Sequence, residues 1–247
     1  MTFKDHFSTG SSDYARFRPR YPSALFDWLA SQSPTTALAW DVATGSGQAA
    51  VELASRFERV VATDASAAQL ASAERRPNVE YRCEPAERST LDAQSVDLVT
   101  VAQALHWFEH ERFFAEASRV LKPGGLLAVW CYEIFETTPA VDALVSRFYH
   151  GVVGSYWPPE RRWIETGYAD LALPFPRVEA PAFALTARWD LDDLVGYLGT
   201  WSAVHRYRAD RGEDPLPAVR GALAEVWGDP AEERAVWWPL KLHVARR

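Results

Sequence analysis

Short apolar runs alternate with segments of helical spacing in the first half of the chain. Three segments long enough for crossover helices lie between these runs, at 47–57, 65–74 and 109–121. Strands that are buried on both faces appear as continuous apolar runs, so this alternation predicts a mostly parallel sheet covered by helices. The apolar runs predicted as strands are 38–43, 59–64, 78–83, 96–102 and 125–131.

Two local signals complete the prediction for this half. The apolar spacing of SALFDWLASQ predicts a helix over 23–32 with Ser23 as its N-cap. The stretch LKPGG predicts a turn before the fifth run, because Pro123 presets φ and Gly124 accepts a positive φ.

The second half of the chain has a different pattern. It is rich in tryptophan and proline, contains helical patterns, and ends in a strand-like run at 235–245 that we expect to pair antiparallel with 178–189. We therefore expect an α/β fold with a seven-stranded, mostly parallel sheet, an antiparallel C-terminal strand pair and a helical cap. No Gly/Ser linker divides it, so we expect one domain over 1–247, made of an N-terminal cap segment (1–35), a ligand-binding core (36–135) and a part with the remaining strands and the cap (136–247).

Composition narrows the possible functions. The 247 residues carry a formal charge of −7, which argues against a nucleic-acid backbone as the main partner. No apolar run is long enough to span a membrane, and the N-terminus lacks the apolar region of a secretory signal. With only two cysteines, Cys83 and Cys131, we expect a cytoplasmic protein without disulfides.

A glycine turn follows the first predicted strand. The residues from Gly45 to Ala50, GSGQAA, match the dinucleotide fingerprint G-x-G-x-x-G/A, which is a weak signal alone. Asp64 follows 17 residues after Gly47, at the end of the second strand. A carboxylate there can accept two ribose hydroxyl hydrogen bonds in a dehydrogenase or a methyltransferase alike, and its alternative role is a helix N-cap.

Asp41 separates these two possibilities. A carboxylate inside an apolar strand is costly unless a cation or hydrogen-bond donors meet it. A pyrophosphate would repel this carboxylate, whereas the ammonium and sulfonium of S-adenosylmethionine would be attracted to it. The alternative is an aspartate satisfied by local backbone amides.

The order of motifs resembles a known family. DVATGSGQAA, ATD, PAE, SVDLVTVAQALHWF and RVLKPGGLLAVW are similar, in order and spacing, to the motifs of class I S-adenosylmethionine-dependent methyltransferases of the type-11 group. YARFRPRYP, YWPPERRWIETGY and TWSAVHRY look like the branch of trans-aconitate methyltransferase-like proteins. The resemblance implies a Rossmann-like sheet. The family usually has glycine where Ala43 stands, and we expect alanine to be tolerated if its φ stays negative.

The resemblance also implies a site for S-adenosylmethionine, with S-adenosylhomocysteine as product. The turn after the first strand would surround the methionine portion, the end of the second strand would bind ribose and adenine, and the ends of the third and fourth strands would complete the pocket. The implied residues are Asp41, Ala43, Gly45, Gly47, Asp64, Ala65, Ala86, Glu87, Gln103 and Ala104.

The acceptor side is less specific. His106 follows the fourth strand and is either a general base or an orienting wall residue, and a carboxylate acceptor would need no base. His106 and His110 lack a third ligand of matching spacing, so we expect no metal. We expect the acceptor to be bound by Tyr14, Arg18, Trp107, Tyr132 and Trp201, with Arg161, Arg162 and Arg206 as weaker candidates for binding an anion.

These observations predict a methyltransferase acting on a small metabolite, by O-methylation of a carboxylate or hydroxyl. Three alternatives stay open: N-methylation of a heterocycle, an NAD(P)-dependent oxidoreductase, and a non-catalytic protein that binds S-adenosylmethionine. We expect no nucleic-acid or membrane partner, and a monomer or homodimer.

Overall fold

A central sheet organises residues 19–247, the part of the chain that the computed structural model describes. The strands follow the order β3-β2-β1-β4-β5-β8-β6, and β7 pairs with β8 outside this path. The strands are β1 Leu38–Val42, β2 Arg59–Asp64, β3 Val79–Cys83, β4 Val96–Ala102, β5 Leu121–Tyr132, β6 Arg177–Val178, β7 Ala184–Trp189 and β8 Arg234–Arg246.

Helices cover both faces of this sheet and form the cap. The α-helices are α1 Ser23–Gln32, α2 Gln48–Ala54, α3 Ala67–Ala71, α4 His110–Val120, α5 Pro139–Arg147, α6 Arg162–Glu165, α7 Leu191–Gly199, α8 Ser202–Arg211 and α9 Leu216–Trp227. Three single 3-10 turns, Leu105–Trp107, Gly154–Tyr156 and Pro159–Arg161, and one π-helical turn, Phe148–Val152, connect them. No helix among these residues combines the length and apolar character needed to cross a membrane.

The predicted parallel core is confirmed. β1 pairs in parallel with β2 and β4, and β4 with β5. β2 is buried along all but its first residue, and β4 along all but its last. One apolar cluster contains Trp130 and the other contains Trp40, and both side chains are fully buried. Burial on two faces explains why these strands have few polar positions.

The C-terminal strands differ from the prediction in number. The predicted run 178–189 divides into β6 and β7, so the sheet has eight strands rather than seven. Pro181 lies in the interval between them, where a residue without an N–H cannot donate to a ladder. Both strands pair antiparallel with β8, which also pairs with β5 over seven residues, so the expected antiparallel pair is confirmed.

Two local predictions have different outcomes. Ser23 is the first residue of α1 and not its N-cap, because Pro22 occupies the cap position and no side chain caps the helix. The predicted turn over 121–125 is instead the irregular start of β5, where the β4–β5 register shifts between Val96 and Leu98, although Gly124 has the expected positive φ of +80°.

Candidate functional site

The turn after β1 contains three residues with positive φ. They are Ala43 (φ +51°), Gly45 (φ +56°) and Gly47 (φ +85°). The condition under which alanine would be tolerated at Ala43, a negative φ, is therefore not met. The Thr44 N–H still donates to the Thr63 carbonyl at 2.9 Å, so the chain must reverse while it keeps its bond to β2. The usual glycine of the family has its physical reason here, because a Cβ in this region is crowded by the backbone.

Gly47 is required for a second reason. It precedes α2, and a Cβ at this position would collide with the hydroxyl of Tyr81. Tyr81 is anchored by donating to the Glu74 carbonyl at 2.7 Å. The glycine therefore lets α2 approach β3 closely, which brings the N-terminus of the helix to the carboxyl edge of the sheet.

Asp41 is buried near the end of β1, with 1% of its surface exposed. Its carboxylate accepts hydrogen bonds from the hydroxyls of Thr44 and Thr100, the latter at 2.8 Å. Burial raises the pKa of this carboxyl to about 6, because the hydroxyls offset only part of the desolvation. No Lys, Arg or His of residues 19–247 forms an ion pair with it. The alternative of backbone amides alone is wrong, since hydroxyls make the main contacts.

Asp64 ends β2 beside the same turn. Its two oxygens accept the N–H of Gly45 at 2.9 Å and the N–H of Ser66 at 2.8 Å. The N-cap alternative for Asp64 is wrong, because the Ser66 hydroxyl caps α3 by accepting from Gln69. Asp64 therefore joins the turn to the end of β2, and 8% of its surface is exposed at the sheet edge.

The neighbouring predicted residues lie along the same edge. Ala65 is exposed directly after β2. After β3, Ala86 is 8% exposed, and the Glu87 carboxylate accepts the N–H of Glu109 at 3.0 Å. Glu87 thereby links the loop after β3 to the start of α4.

Gln103 and Ala104 follow β4. Gln103 has φ +56°, and its amide side chain exchanges two hydrogen bonds with the backbone of Tyr132, at 3.0 and 2.8 Å. Ala104 is 7% exposed. The ends of β4 and β5 are thus locked together where the predicted cofactor and acceptor residues meet.

His106 lies in the 3-10 turn that follows. Its Nδ1 is 3.0 Å from the hydroxyl of Tyr168, and 8% of the residue is exposed. Burial, with the nearby charge of Arg161 and with His110, lowers the pKa of His106 to about 3. His106 is consequently neutral near pH 7, and so low a pKa makes it a weak general base. Its Nε2 has no hydrogen-bond partner among the described residues.

A cavity of about 200 Å³ opens beyond the end of β5. Arg161 is half-buried in its wall, 4.6 Å from the ring centre of Trp157, and its Nε donates to the Tyr149 hydroxyl at 2.7 Å. Within residues 19–247, no carboxylate lies within 4 Å of this guanidinium. The cavity is lined by Glu133, Ile134, Tyr149, His150, Arg161 and Glu165.

The other residues predicted to bind the acceptor do not share one location. Trp107 is half-buried and its ring lies 4.7 Å from that of His106. Trp201 is 5% exposed and packs behind Tyr149, with ring centres 5.5 Å apart. Tyr14 and Arg18 lie outside the described residues.

His106 and His110, the two histidines considered as metal ligands, have different hydrogen-bond partners. His110 Nε2 is 3.0 Å from the Leu105 carbonyl, while His106 Nδ1 contacts Tyr168. Residues 19–247 contain no cluster of three His, Cys, Asp or Glu side chains placed to hold a metal ion.

Several residues at the site escaped the sequence analysis. Thr44 and Thr100 were not singled out, although a hydroxyl three residues after Asp41 was a readable signal. Tyr149 and Tyr168 follow the fifth strand in the cap, and no spacing rule links them to the strand ends.

Comparison with known proteins decides the family. Residues 40–147 match the family described as a methyltransferase domain. A Dictyostelium discoideum protein named as a methyltransferase is 35% identical over 229 residues, which are 91% of this chain and 87% of that protein. The chain belongs to the class I S-adenosylmethionine-dependent methyltransferases.

Solved structures agree with this methyltransferase assignment. A structure from Anaeromyxobacter dehalogenans, described as a type II methyltransferase, is 46% identical with a TM-score of 0.88 and covers 93% of this chain and 97% of that one. A methyltransferase structure from Bacillus halodurans is 21% identical with a TM-score of 0.52, covers 91% of this chain and 97% of that one, and supports the fold alone.

The methyltransferase family decides between the two cofactors considered for the glycine turn. Its cofactor is S-adenosylmethionine, so the alternative of a nicotinamide-dependent oxidoreductase is wrong. The names of these relatives state no acceptor, and the trans-aconitate branch therefore stays a prediction.

Proposed function

We propose that the cofactor binds at the carboxyl edge formed by β1, β2 and β4. The residues at this edge fit S-adenosylmethionine, because the cofactor is positively charged at its methionine end. The buried Asp41 carboxylate has hydroxyl partners but no cationic partner among residues 19–247. Asp41 would bind the positively charged methionine end, and Asp64 the ribose hydroxyls. When bound, the cofactor supplies an electrophilic methyl group on a sulfonium.

The residues around Asp41 and Asp64 would contact the other portions of the cofactor. Ala43, Gly45 and Gly47 let the backbone pass close to the methionine portion. Ala65 and Ala86 offer small apolar contacts for adenine, and Glu87 an acceptor for its amino group. Gln103 and Ala104 would form the floor beneath the methionine.

We infer that the acceptor is a small carboxylic acid and that the product is its methyl ester. The observation that carries this inference is the guanidinium of Arg161, which is half-buried and oriented by Trp157 and Tyr149. It lies more than 4 Å from every described carboxylate, including Glu133 and Glu165 of the same cavity. An arginine held in this way presents N–H donors to a planar anion. Methyl transfer to a carboxylate then depends on orientation and exclusion of water, since the nucleophile is already deprotonated.

The electrostatics of His106 also favour this acceptor over a hydroxyl. A hydroxyl needs a base to take its proton, and the low pKa of His106 makes it poor at that task. N-methylation of a heterocycle remains the second candidate, because a neutral ring nitrogen needs no base either. We propose one domain over residues 1–247 and a cytoplasmic location for this activity.

The test uses pooled metabolites with methyl-labelled S-adenosylmethionine and mass spectrometry. We expect label in a product that releases methanol in alkali, as methyl esters do. Label that resists alkali and resides on nitrogen would select the second candidate.

A pair of neighbouring arginines provides the matched control. We expect Arg161→Met to raise KM for the acid at least about tenfold, as the loss of one charge-assisted hydrogen bond requires. Arg162→Met removes an exposed guanidinium one residue away and should leave KM unchanged. Equal effects of the two variants would refute recognition of an acid by Arg161.

A further inference from the structure

Tyr168 is a buried phenol in contact with the candidate catalytic histidine. None of its surface is exposed, and its hydroxyl is 3.0 Å from His106 Nδ1. It is the only hydrogen-bond partner of the His106 ring among the described residues. The tyrosine lies 62 positions after the histidine, on the loop that follows α6.

The backbone at Tyr168 has an unusual conformation that places its ring beside His106. Gly167 and Tyr168 both have φ +58°, a conformation that is unfavourable for tyrosine. The Tyr168 N–H donates to the Trp163 carbonyl at 2.9 Å, and His243 Nε2 lies 2.7 Å from the Gly167 carbonyl. Hydrogen bonds from α6 and β8 thus stabilise a strained turn, and in this turn the Tyr168 hydroxyl contacts His106. Such strain often accompanies functional sites.

The surroundings of the phenol determine which atom carries the shared proton. The phenol oxygen lies 3.0 Å from His106 Nδ1, and no other hydrogen-bond partner of this hydroxyl occurs among residues 19–247. The phenol hydrogen must then find an acceptor, and Nδ1 of His106 is the one that residues 19–247 provide. The reverse arrangement, with the proton on Nδ1, would leave a buried hydroxyl hydrogen without a partner, which is costly.

We propose that Tyr168 is a positioning residue that donates to Nδ1 and holds His106 in the tautomer protonated at Nε2. Nε2 of His106, which has no hydrogen-bond partner among the described residues, is therefore an N–H donor and not a base, and we place the acceptor group against it. Burial of the ring and then the charge of Arg161 lower the pKa of His106, which keeps the imidazole neutral and preserves this tautomer. The direction of the donor toward the acceptor rests on the proposed methyl transfer, whereas the tautomer itself does not.

The tautomer is measured on the protein without substrate. Nitrogen-15 NMR of histidine-labelled protein at pH 7 distinguishes protonated from unprotonated ring nitrogens, and His106→Gln identifies the His106 signals by their loss. We expect a protonated Nε2 and an unprotonated Nδ1, and we expect Tyr168→Phe to mix the two tautomers. A proton on Nδ1 in the unmodified chain would overturn the proposal, whatever the enzyme methylates.

Kinetics test the consequence for transfer. We expect Tyr168→Phe to lower kcat about tenfold with KM nearly unchanged, the size typical of losing an outer partner that orients a site residue. Tyr156→Phe is the matched control, because its hydroxyl bonds to Asp210 and Arg211 at the exposed edge of the cap. Unchanged kcat in Tyr168→Phe would overturn the role in transfer.

Discussion

The side chain of Gln103 pairs with the backbone of Tyr132 as an additional strand residue would. Its Nε2 donates to the Tyr132 carbonyl at 3.0 Å, and its Oε1 accepts the Tyr132 N–H at 2.8 Å. The chain leaves β4 here with φ +56°, so β5 would otherwise lose a ladder partner at its last residue. A primary amide can replace both backbone groups because it carries a donor and an acceptor.

This pairing predicts an ordered pair of variants. Gln103→Ala should lower the free energy of unfolding by about 2 kcal/mol, because two partly buried hydrogen bonds are lost. Gln103→Gly should lower it by about 1 kcal/mol less, since glycine accepts the positive φ without strain. Urea titrations measure both values. The reverse order would show that strain at Gln103 does not matter.

Ala43 is expected to limit stability. Its φ of +51° costs alanine about 1–2 kcal/mol, and the added freedom of glycine in the unfolded chain offsets part of the gain. Ala43→Gly should therefore raise the free energy of unfolding by up to about 1 kcal/mol. Ala43→Val should lower it by about 2 kcal/mol. Destabilisation by glycine would contradict this account of the turn.

Asp41 should make cofactor binding sensitive to pH. Its folded pKa of about 6 lies above its ordinary 3.8, so protonation below pH 6 removes the negative charge that a cation would meet. Affinity for S-adenosylhomocysteine should fall as pH drops below about 6, by up to about tenfold per pH unit. Titration calorimetry from pH 5 to 8 measures it. Asp41→Asn should bind weakly at every pH without this slope.

The same carboxyl affects stability in the opposite direction when no cofactor is present. Because the folded state of Asp41 binds its proton more tightly than the unfolded state, its contribution to the free energy of unfolding rises as pH falls from above 6 to below 3.8. The difference between the original chain and Asp41→Asn isolates this contribution. A difference independent of pH would mean that the pKa of Asp41 is not raised.

Asp64 should dominate ribose binding. Asp64→Ala removes two charge-assisted acceptors, and we expect the affinity for S-adenosylhomocysteine to fall about 100-fold. Asp64→Asn keeps one acceptor oxygen for Gly45 or Ser66 and should lose less. Thermal melts without ligand report the separate effect on the turn. Unchanged calorimetric affinity in Asp64→Ala would refute the assignment.

The positions of the core strands along the chain could be predicted from the sequence, because strands buried on both faces appear as continuous apolar runs. β1, β2 and β4 start or end within one or two residues of their predicted bounds. Strands β6 and β7 were predicted as one, because an alternating pattern cannot show where pairing with β8 is interrupted. The sign of φ at Ala43 was left open by the sequence, because it depends on the bond between the turn and β2, which only the tertiary structure shows.

The sequence by itself determined the family and its cofactor, through motifs that resemble those of known methyltransferases, and the strands of the parallel core, because burial on both faces leaves continuous apolar runs. Only the tertiary structure decided which side chains meet. The contact of Tyr168 with His106, and the position of Arg161 more than 4 Å from every described carboxylate, arise from segments far apart in the chain. Such contacts depend on how the cap packs over the sheet. A contact between two residues far apart in the chain produces no periodic pattern of hydrophobic positions, so a single sequence does not reveal it.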